Sequence, residues 1–444
     1  MSGYSERARQ WVHIGSGGFA LLLRFLTWPQ AALLAAVALA FNAFALPRVG
    51  GRQIFRPVDR ERGFPIGILL YPASVLLLIL FFRARLDLVA AAWGILAFGD
   101  GMATLVGRAD APRVRRRLPW NGDKSFAGTI AFAIFGAAAG IAFALWTRPA
   151  IAQPPPRAFA IGAPLVAAIV AALTESIPVR LDDNLSVPFA AGVVLWAASV
   201  MDPHWYPAQA VQEALPLAVA FNAAVAYLGY RAKTVSISGM IGGAAVGVVI
   251  FACGGANAWT LLFATFAVAA ISSRFGLARK TRLGIAEEKG GRRGAGNAFA
   301  NCGVATLASM FSVATPYPME SLLALSAALV AGGSDTVASE IGKAWGRRTF
   351  LITSFRSVPP GTPGAMSLEG TVAGIVSAAL LAELAVAIGL AGRHAVVPIV
   401  IAATVGAAVE SLLGATLERP GILNNDMLNF INTAVAALTV LWLA

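Results

Sequence analysis

The sequence predicts an all-α polytopic integral membrane protein, and three observations lead to this fold class. Of the 444 residues, 58% are hydrophobic and only 13% are charged, about half the charged fraction of an average soluble protein. Apolar runs of about 20 residues, the length that spans a bilayer as a helix, recur along the whole chain. Basic residues outnumber acidic ones by 34 to 22 and concentrate between alternate runs. We therefore expect a membrane-embedded protein rather than a soluble enzyme.

Fifteen apolar runs are the candidate membrane-spanning helices. They start near His13, Pro29, Phe64, Leu86, Lys124, Arg157, Leu185, Gln209, Val235, Ala256, Ala295, Glu320, Leu368, Val396 and Asn425. If their directions alternate, the loops on the N-terminal side contain 28 of the 34 Lys and Arg residues, and the opposite loops contain five. This bias predicts a cytoplasmic N-terminus and an outer C-terminus, and we expect a bacterial inner membrane.

The composition also excludes several classes of protein. A net charge of +12 is typical of cytoplasmic loops in a membrane protein, and we expect no nucleic-acid partner. Cys253 and Cys302 lie in apolar runs without a Cys-x-x-Cys pair or a His cluster, so neither a disulfide framework nor a zinc site is predicted. The sequence contains no P-loop motif. It leaves the oligomeric state open.

The two halves of the chain share a weak internal repeat. The matching pairs are Asp100–Gly107 with Asp335–Gly342, Ser125 with Ser367, Gly128 with Gly370, and Glu175 with Glu410. Seven spans in each copy would point the two copies in opposite directions, and the eighth span restores a common direction. We therefore predict two parallel seven-helix repeats joined by one connector helix. The predicted domains are residues 1–205 and 233–444, with the connector at 206–232.

Polar residues gather at the predicted cytoplasmic ends of the helices. An ionisable group at the centre of a spanning helix costs about 2.5–3.5 kcal/mol and indicates function. In the first half the set is His13, Asp100, Arg108, Asn121, Lys124, Glu175, Asp182, Asp183 and Asn184. In the second half it is Arg274, Arg293, Asn297, Asn301, Asp335, Glu340, Glu410, Asn424, Asn425, Asp426 and Asn429. No comparable cluster occurs on the outer side, which argues against a transport pathway.

Carboxylates, basic residues and glycine-rich turns beside a bilayer favour phosphoryl transfer. Carboxylates hold Mg²⁺, Lys and Arg neutralise phosphate oxygens, and glycine-rich backbone donates N–H groups to them. The turn Pro359–Gly364 ends just before a predicted helix, whose N-terminus attracts anions. Gly361, Thr362 and Gly364 are therefore candidate phosphate ligands. Asp100 and Asp335 carry the most weight, because both recur in the repeat.

Each half resembles a family of membrane kinases. The first half resembles the polyprenol kinase family of dolichol kinase and phytol kinase, through Glu6-x-x-Arg9-x-x-x-His13, Gly67-x-x-x-Tyr71-Pro72, Phe98-Gly-Asp100-Gly, Asn121-x-x-Lys124-Ser125-x-x-Gly128, Glu175-x-x-Pro178 and Asp182-Asp-Asn-Leu. It departs from that family at Gln10, where Lys is usual. The second half resembles the phytyl-phosphate kinase family of integral membrane proteins, through Ser273-Arg274-Phe-Gly276, Gly296-Asn297-x-x-x-Asn301, Ser334-Asp335-Thr, Gly361-Thr362-x-Gly364-x-x-Ser367, Glu410-Ser and Asn425-Asp426-x-x-Asn429.

This resemblance implies a natural fusion of two salvage enzymes. The first domain would phosphorylate a prenol of the phytol, geranylgeraniol or farnesol type, and the second would convert the monophosphate to the diphosphate. The implied phosphoryl donor is CTP or another nucleoside triphosphate, with Mg²⁺ as the cofactor. The acceptor's chain length and the donor base stay open.

Comparing the halves assigns a role to each candidate residue. Features shared by both halves should serve the common donor and metal, so the predicted Mg²⁺ ligands are Asp100, Glu175, Asp335 and Glu410. A prenol must lose a proton, and the alternative bases are His13, Asp182 and Asp183. A monophosphate acceptor adds negative charge, which Arg274, Lys280, Arg292 and Arg293 can neutralise. The other predicted catalytic residues are Lys124, Glu340 and Asp426, and the other predicted substrate-binding residues are Arg108, Asn121, Ser125, Gly128, Asn184, Asn297, Asn301, Ser367, Asn425 and Asn429.

Three alternative functions fit the same composition. A membrane cytidylyltransferase would use the same donor but release pyrophosphate instead of CDP. A two-domain transporter of lipids or small molecules belongs to another class, and the one-sided polar residues weigh against it. A half without activity that serves as a scaffold is disfavoured, because both halves contain their carboxylates.

The predicted topology can be tested by labelling single cysteines in intact cells, after Cys253 and Cys302 have been replaced. We expect the loop from Arg274 to Arg293 and the turn Pro359–Gly364 to be protected from an impermeant reagent. A cysteine at Ala444 should be labelled from outside. Labelling of the Arg274 to Arg293 loop from outside would contradict both the topology and the parallel repeat.

Overall fold

A computed structural model of the chain describes residues 6–46, 48, 66–109, 117–119, 121–177, 182–201, 209–285, 292–418 and 422–444. The chain forms two compact units, residues 1–200 and 201–444. Within the described residues both are helical apart from one two-stranded hairpin in each, so the predicted all-α membrane fold class is confirmed. In the described part, eleven helices are long and apolar enough to cross a membrane, and Gly67–Phe81 is a shorter apolar helix. The count of fifteen spans and the parallel layout stay predictions.

The described part of the first unit contains eight helices and the first hairpin. In chain order its elements are α1 (Glu6–Gly17) with a 3₁₀ extension (Gly18–Arg24), α2 (Trp28–Ala40) with a π-helical extension (Phe41–Ala45), α3 (Ile66–Phe81), α4 (Leu86–Gly94), a π-helical segment (Ile95–Asp100), α5 (Gly101–Ala109), β1 (Arg117–Leu118), β2 (Asn121–Ser125), α6 (Phe126–Thr147) with a 3₁₀ turn (Arg148–Ala150), α7 (Arg157–Ser176) and α8 (Asp183–Val200). Buried alanines dominate its core, including Ala90, Ala91, Ala167, Ala168 and Ala171. Such small residues let spanning helices pack closely.

The second unit has a corresponding order of elements after one additional helix. These are α9 (Gln209–Arg231), α10 (Ile237–Arg274), α11 (Leu277–Arg282), α12 (Ala295–Ala314), α13 (Pro318–Trp345), β3 (Thr349–Leu351), β4 (Ala365–Ser367), α14 (Leu368–Ala387), a 3₁₀ turn (Arg393–Ala395), α15 (Val396–Leu413) with a π-helical extension (Gly414–Glu418) and α16 (Asn425–Leu443). The helix predicted as a connector, α9, packs along α10 within this unit.

The repeated sequence motifs adopt the same local structure in both units. The Ser125 hydroxyl caps α6 by accepting a hydrogen bond from the Gly128 N–H at 3.2 Å. The Ser367 hydroxyl caps α14 in the same way, accepting from Gly370 at 3.1 Å. Each capped glycine also packs directly on the backbone of a glycine from the preceding helix, Gly128 on Gly107 and Gly370 on Gly342. The glycines of the repeat are therefore explained by close helix packing.

Helix α10 reverses direction at Gly255. This residue has φ +80° and ψ 178°, which is not helical, and this backbone region is essentially restricted to glycine. The space beside Gly247 is filled by the side chains of both Asn222 and Trp259. Twelve residues of straight helix would separate Gly247 and Trp259 by about 18 Å, so their proximity means that the second arm folds back along the first.

Several predicted boundaries are wrong by a few residues. Lys124 was expected to begin a spanning helix, but it lies in strand β2, and α6 begins at Phe126. The turn Pro359–Gly364 was expected to end just before a helix; strand β4 lies between them, and α14 begins at the predicted Leu368. The predicted span start at Phe64, the motif residue Pro178 and the domain boundary at 205–206 lie outside the described residues.

The reversal at Gly255 predicts a specific stability difference. Gly255→Ala should lower the thermal unfolding temperature in detergent, because a side chain in this backbone conformation costs about 1–3 kcal/mol. Gly243→Ala is the matched control, since Gly243 lies in the helical first arm and its new methyl group would meet nothing within 4 Å. Equal unfolding temperatures for the two variants would contradict the reversal.

Candidate active sites

The first unit brings three carboxylates together at the ends of three helical segments. One ligand oxygen from each of Asp100, Glu175 and Asp183 lies within 4.8 Å of the others. Asp100 ends the π-helical segment, Glu175 is in the last turn of α7, and Asp183 begins α8. Hard oxygen ligands suit Mg²⁺, so these residues fit the predicted cation. Asp183, predicted as a base, is placed here with the two predicted metal ligands.

Lys124 provides the positive charge at this cluster. Its ammonium group forms an ion pair with Glu175 and a second one with Asp183 at 3.2 Å. Burial alone would lower the pKa of Lys124, but the carboxylates of Asp183 and Glu175 outweigh burial and raise the pKa above its ordinary value. Lys124 is therefore charged at neutral pH and compensates two of the three carboxylates. Any cation bound here has to share those carboxylates with it.

His13 borders the same cluster from α1. Its Nε2 lies 3.5 Å from Asp100 Oδ2 and 3.4 Å from the Leu96 carbonyl oxygen. Both neighbours are acceptors, so the hydrogen-bond network assigns the ring hydrogen of the neutral imidazole to Nε2 and leaves Nδ1 unprotonated. The ring packs edge-on against Tyr71 at 4.8 Å. In its neutral form His13 is thus able to accept a proton.

Other predicted residues of the first half position the loops around the cluster. The Asn121 side chain donates to the Ser176 carbonyl oxygen at 3.0 Å, next to Glu175. The Asn184 side chain donates to Asp182 Oδ1 at 2.7 Å, so one carboxylate oxygen of Asp182 is used within the loop before α8. Ser125 and Gly128 cap α6, and their predicted contact with phosphate stays a prediction. Arg108 lies in the last turn of α5.

The second unit contains a polar cavity of about 360 Å³. Twelve predicted residues line it, namely Arg293, Asn297, Asp335, Glu340, Gly361, Thr362, Gly364, Ser367, Gly370, Glu410, Asn425 and Asn429. Gly361 and Gly364 both have positive φ values, +83° and +70°. The backbone of Ser411 and Ala415 leaves no room for a side chain on Gly364. The glycine-rich turn is therefore fixed against the end of α15 at the wall of the cavity.

Glu410 is a carboxylate of this cavity with one oxygen that is unpartnered in the described part of the chain. Its Oε2 atom is buried and has no hydrogen-bond partner among the described residues, and the like charges of Asp335 and Glu418 act on it. A buried carboxylate oxygen among like charges is costly unless a cation balances it. Asp335 and Glu410 therefore fit the predicted Mg²⁺. By contrast, Glu340 forms ion pairs with Lys280 and, at 3.5 Å, with Lys343, so its charge is compensated within the protein.

Several predicted residues of the second half lie away from the polar cavity. The side chain of Arg274 at the end of α10 is exposed, and so is that of Arg292. Asn301 lines a neighbouring apolar cavity instead. Asp426 packs its carboxylate against the backbone of Gly296. Lys280, another predicted phosphate-binding residue, is 1% exposed and ion-paired.

Sequence reasoning missed two charged residues that line the polar cavity, Lys343 and Glu418. The internal repeat contained a signal for one of them. Lys343 follows Asp335 by eight residues, just as Arg108 follows Asp100. A basic residue directly after the repeated D-x-x-A-x-x-x-G segment is thus a further shared feature. Glu418 lies in the π-helical extension of α15, and no repeated motif marks it.

Comparison with known proteins places this architecture among membrane proteins. The family described as integral membrane protein DUF92 matches residues 220–437. The uncharacterized membrane protein sll0875 of Synechocystis sp. is 38% identical over 195 residues, covering 43% of this chain and 76% of that protein. Protein VTE6, chloroplastic, of Arabidopsis thaliana is 31% identical over 265 residues, covering 57% and 79%. Probable phytol kinase 2, chloroplastic, of Oryza sativa subsp. japonica is 31% identical over 202 residues, covering 42% and 64%. No solved structure matches the chain.

The carboxylate cluster of the first unit predicts a measurable loss of cation binding. Mg²⁺ should raise the thermal unfolding temperature of the purified protein, since binding to the folded state alone stabilises it. Asp183→Asn should weaken the Mg²⁺ affinity of this site at least about ten-fold. Substituting even a residue that only hydrogen-bonds to a metal ligand typically costs about that much affinity. Asp123→Asn is the control, because Asp123 is an exposed residue of β2, the strand that also contains Lys124. An unchanged Mg²⁺ titration for Asp183→Asn would contradict the assignment.

Proposed function

The chain belongs to the integral membrane protein DUF92 family, and from this membership and its two carboxylate sites we propose that it is a bifunctional isoprenoid kinase. The first unit phosphorylates a prenol to its monophosphate, and the second unit phosphorylates the monophosphate to the diphosphate. A relative named probable phytol kinase supports an isoprenoid alcohol as the first acceptor. The observation that carries the two-step proposal is that each unit contains its own carboxylate site beside a serine-capped helix.

In the first unit the protein's own groups position the donor and receive a proton. Catalysis of phosphoryl transfer is mostly positioning and electrostatic stabilisation. Mg²⁺ bound by Asp100, Glu175 and Asp183 would supply positive charge to the donor's phosphate oxygens. Lys124, kept charged by Glu175 and Asp183, adds a second positive charge at the same place. The prenol hydroxyl must lose its proton, and His13, which borders the cluster in the described part of the chain, is the group that we assign to take it.

In the second unit the acceptor is already an anion. A phosphate monoester is largely ionised near neutral pH, with a second pKa of about 6, so it needs charge neutralisation more than a base. Arg293 and Lys343 line the polar cavity together with the carboxylates Asp335 and Glu410. We assign Asp335 and Glu410 to Mg²⁺ with the donor phosphates, and Arg293 to the acceptor phosphate. A guanidinium group suits a phosphate because it donates two parallel hydrogen bonds.

The donor in this proposal is CTP for the first step, and CTP or another nucleoside triphosphate for the second. It follows from the resemblance of the first half to polyprenol kinases. Supplying membranes with labelled CTP, ATP and GTP and a panel of prenols tests this assignment. Release of CDP with formation of prenyl phosphates supports a kinase. Release of pyrophosphate with transfer of the cytidylyl group would overturn it in favour of a cytidylyltransferase.

The two units should be separable by single substitutions. With Asp335→Asn, a supplied prenol should be phosphorylated once and the monophosphate should accumulate. With Asp100→Asn, the prenol should stay unused, while supplied prenyl monophosphate should still become the diphosphate. Each substitution removes one anionic ligand from one site only. The products can be measured by chromatography of labelled lipid phosphates, with Asp123→Asn as the control.

Two outcomes would contradict this division of labour. If either substitution stopped both steps, the two sites would act as one composite centre. If Asp335→Asn blocked the first step and Asp100→Asn the second, the acceptors would be assigned to the wrong units. In both cases a wild-type protein that makes the diphosphate would still support a kinase.

A further inference from the structure

An apolar cavity of about 500 Å³ lies in the second unit. Four helices line it, α9, both arms of α10, α12 and α13. Most of its wall consists of apolar side chains, including Val225, Met240, Val246, Leu262 and Phe266. A mostly apolar cavity with a few polar groups at one end is the usual form of a small-molecule site. None of the candidate catalytic carboxylates in the described part of the chain lines it.

The apolar cavity adjoins the polar cavity at two shared residues. Arg293 and Asn297 line both cavities. The backbone of Arg293 is fixed at this junction, since its N–H donates to Thr234 at 3.1 Å and its carbonyl accepts from Ser236 at 3.0 Å. A ligand that extends through the junction therefore meets a basic residue between an apolar region and a region of carboxylates.

We infer that the apolar cavity binds the isoprenoid tail of the prenyl monophosphate, with its phosphate at Arg293 and Asn297. This inference rests on the proposed function of the second unit. A single prenyl chain with a terminal phosphate has the required chemistry, because it is apolar along its length and anionic at one end. The phosphate at the junction then faces the polar cavity, where Asp335 and Glu410 lie.

The cavity is long enough for several isoprene units. Along α9 its wall extends from Ala232 near the junction to Asn222, and ten residues of helix correspond to about 15 Å. Asn222 is 4% exposed and accepts a hydrogen bond from the Trp259 indole at 2.8 Å. This pair forms the end of the cavity away from Arg293. Helix α9, predicted only as a connector, thus supplies one wall of the acceptor site.

The cavity is open toward the side of the unit. Leu228 on α9 and Phe263 on the second arm of α10 line it and are 63% and 47% exposed. In a membrane-spanning unit these side chains face lipid. A prenyl tail can therefore pass between the two helices from the bilayer without leaving an apolar environment. This route suits an acceptor that is itself dissolved in the membrane.

Gly243 provides a way to fill the cavity without disturbing the packing around it. It lines the cavity, and a Cβ atom at this position would meet nothing within 4 Å. Gly243→Leu should reduce kcat/KM for a C20 prenyl phosphate about ten-fold or more, because the new side chain excludes part of the tail from the cavity. The value for the five-carbon dimethylallyl phosphate should change little, because Gly243 lies one helical turn beyond Gly239, which packs on Arg293. Ala245→Leu, on the exposed face of the same helix, is the matched control.

A second measurement locates the tail directly. A C20 prenyl phosphate with a photoreactive diazirine at its far end should label peptides of α9 and α10 near Asn222 and Trp259 in the wild-type protein. An excess of unmodified C20 prenyl phosphate should abolish this labelling. Labelling confined to other helices would overturn the inference even if Gly243→Leu failed to fold.

The outcomes separate this inference from the proposed function. If the wild-type protein phosphorylates no prenyl phosphate, the proposed function fails. If it does so but Gly243→Leu affects C20 and dimethylallyl substrates equally, the tail binds elsewhere and the kinase proposal stands. Labelling near Trp259 that excess prenyl phosphate does not displace would indicate non-specific labelling from the bilayer, and would also overturn the inference.

Discussion

The first unit depends on the ion pairs that Lys124 makes with Glu175 and Asp183. Three carboxylates within 4.8 Å of one another repel strongly where water is scarce, and one ammonium group compensates two of them. Glu175 is buried whereas Lys124 and Asp183 are partly exposed, so the pair with Glu175 is the less screened of the two. The ends of α7 and α8 and the hairpin that carries Lys124 are thus held in one arrangement by charge. In the second unit Lys280 and Glu340 form a fully buried pair, and Glu340 lines the same polar cavity as Asp335 and Glu410.

Sequence periodicity and charge bias predicted the fold class because both follow directly from the bilayer. Most helix starts were found within a few residues, and even the reversal at Gly255 falls where two separate spans were expected. The two hairpins were missed, since Asn121–Ser125 is polar throughout and Ala365–Ser367 has only three residues, so neither shows a strand pattern. As a result, Lys124 was predicted at the start of a helix but lies in strand β2.

The sequence predicted which residues lie at the candidate sites better than it predicted what each residue does there. Recurrence of Asp100 with Asp335 and of Glu175 with Glu410 selected residues that the structure places at a carboxylate cluster or in a polar cavity. Roles depend on which side chains meet, and that is set by packing between distant segments. Lys280 was predicted to bind phosphate because it lies in a basic loop. In the structure its side chain is buried and forms an ion pair with Glu340. Asn222 and Trp259 offered no sequence signal, because a single polar residue in an apolar run does not reveal its partner.

The glycine contacts at the start of α14 limit where this chain can change in length. Gly370 packs on the backbone of Gly342 while Ser367 caps the same helix turn. Inserting one residue between the cap and the helix body would rotate everything beyond it by about 100°. Buried residues such as Ala378 and Ala382 would then face lipid, and polar cavity residues would turn away from the carboxylates. Insertions and deletions among relatives should therefore collect in the loops, and the distance from each capping serine to its glycine should stay constant as the two halves diverge.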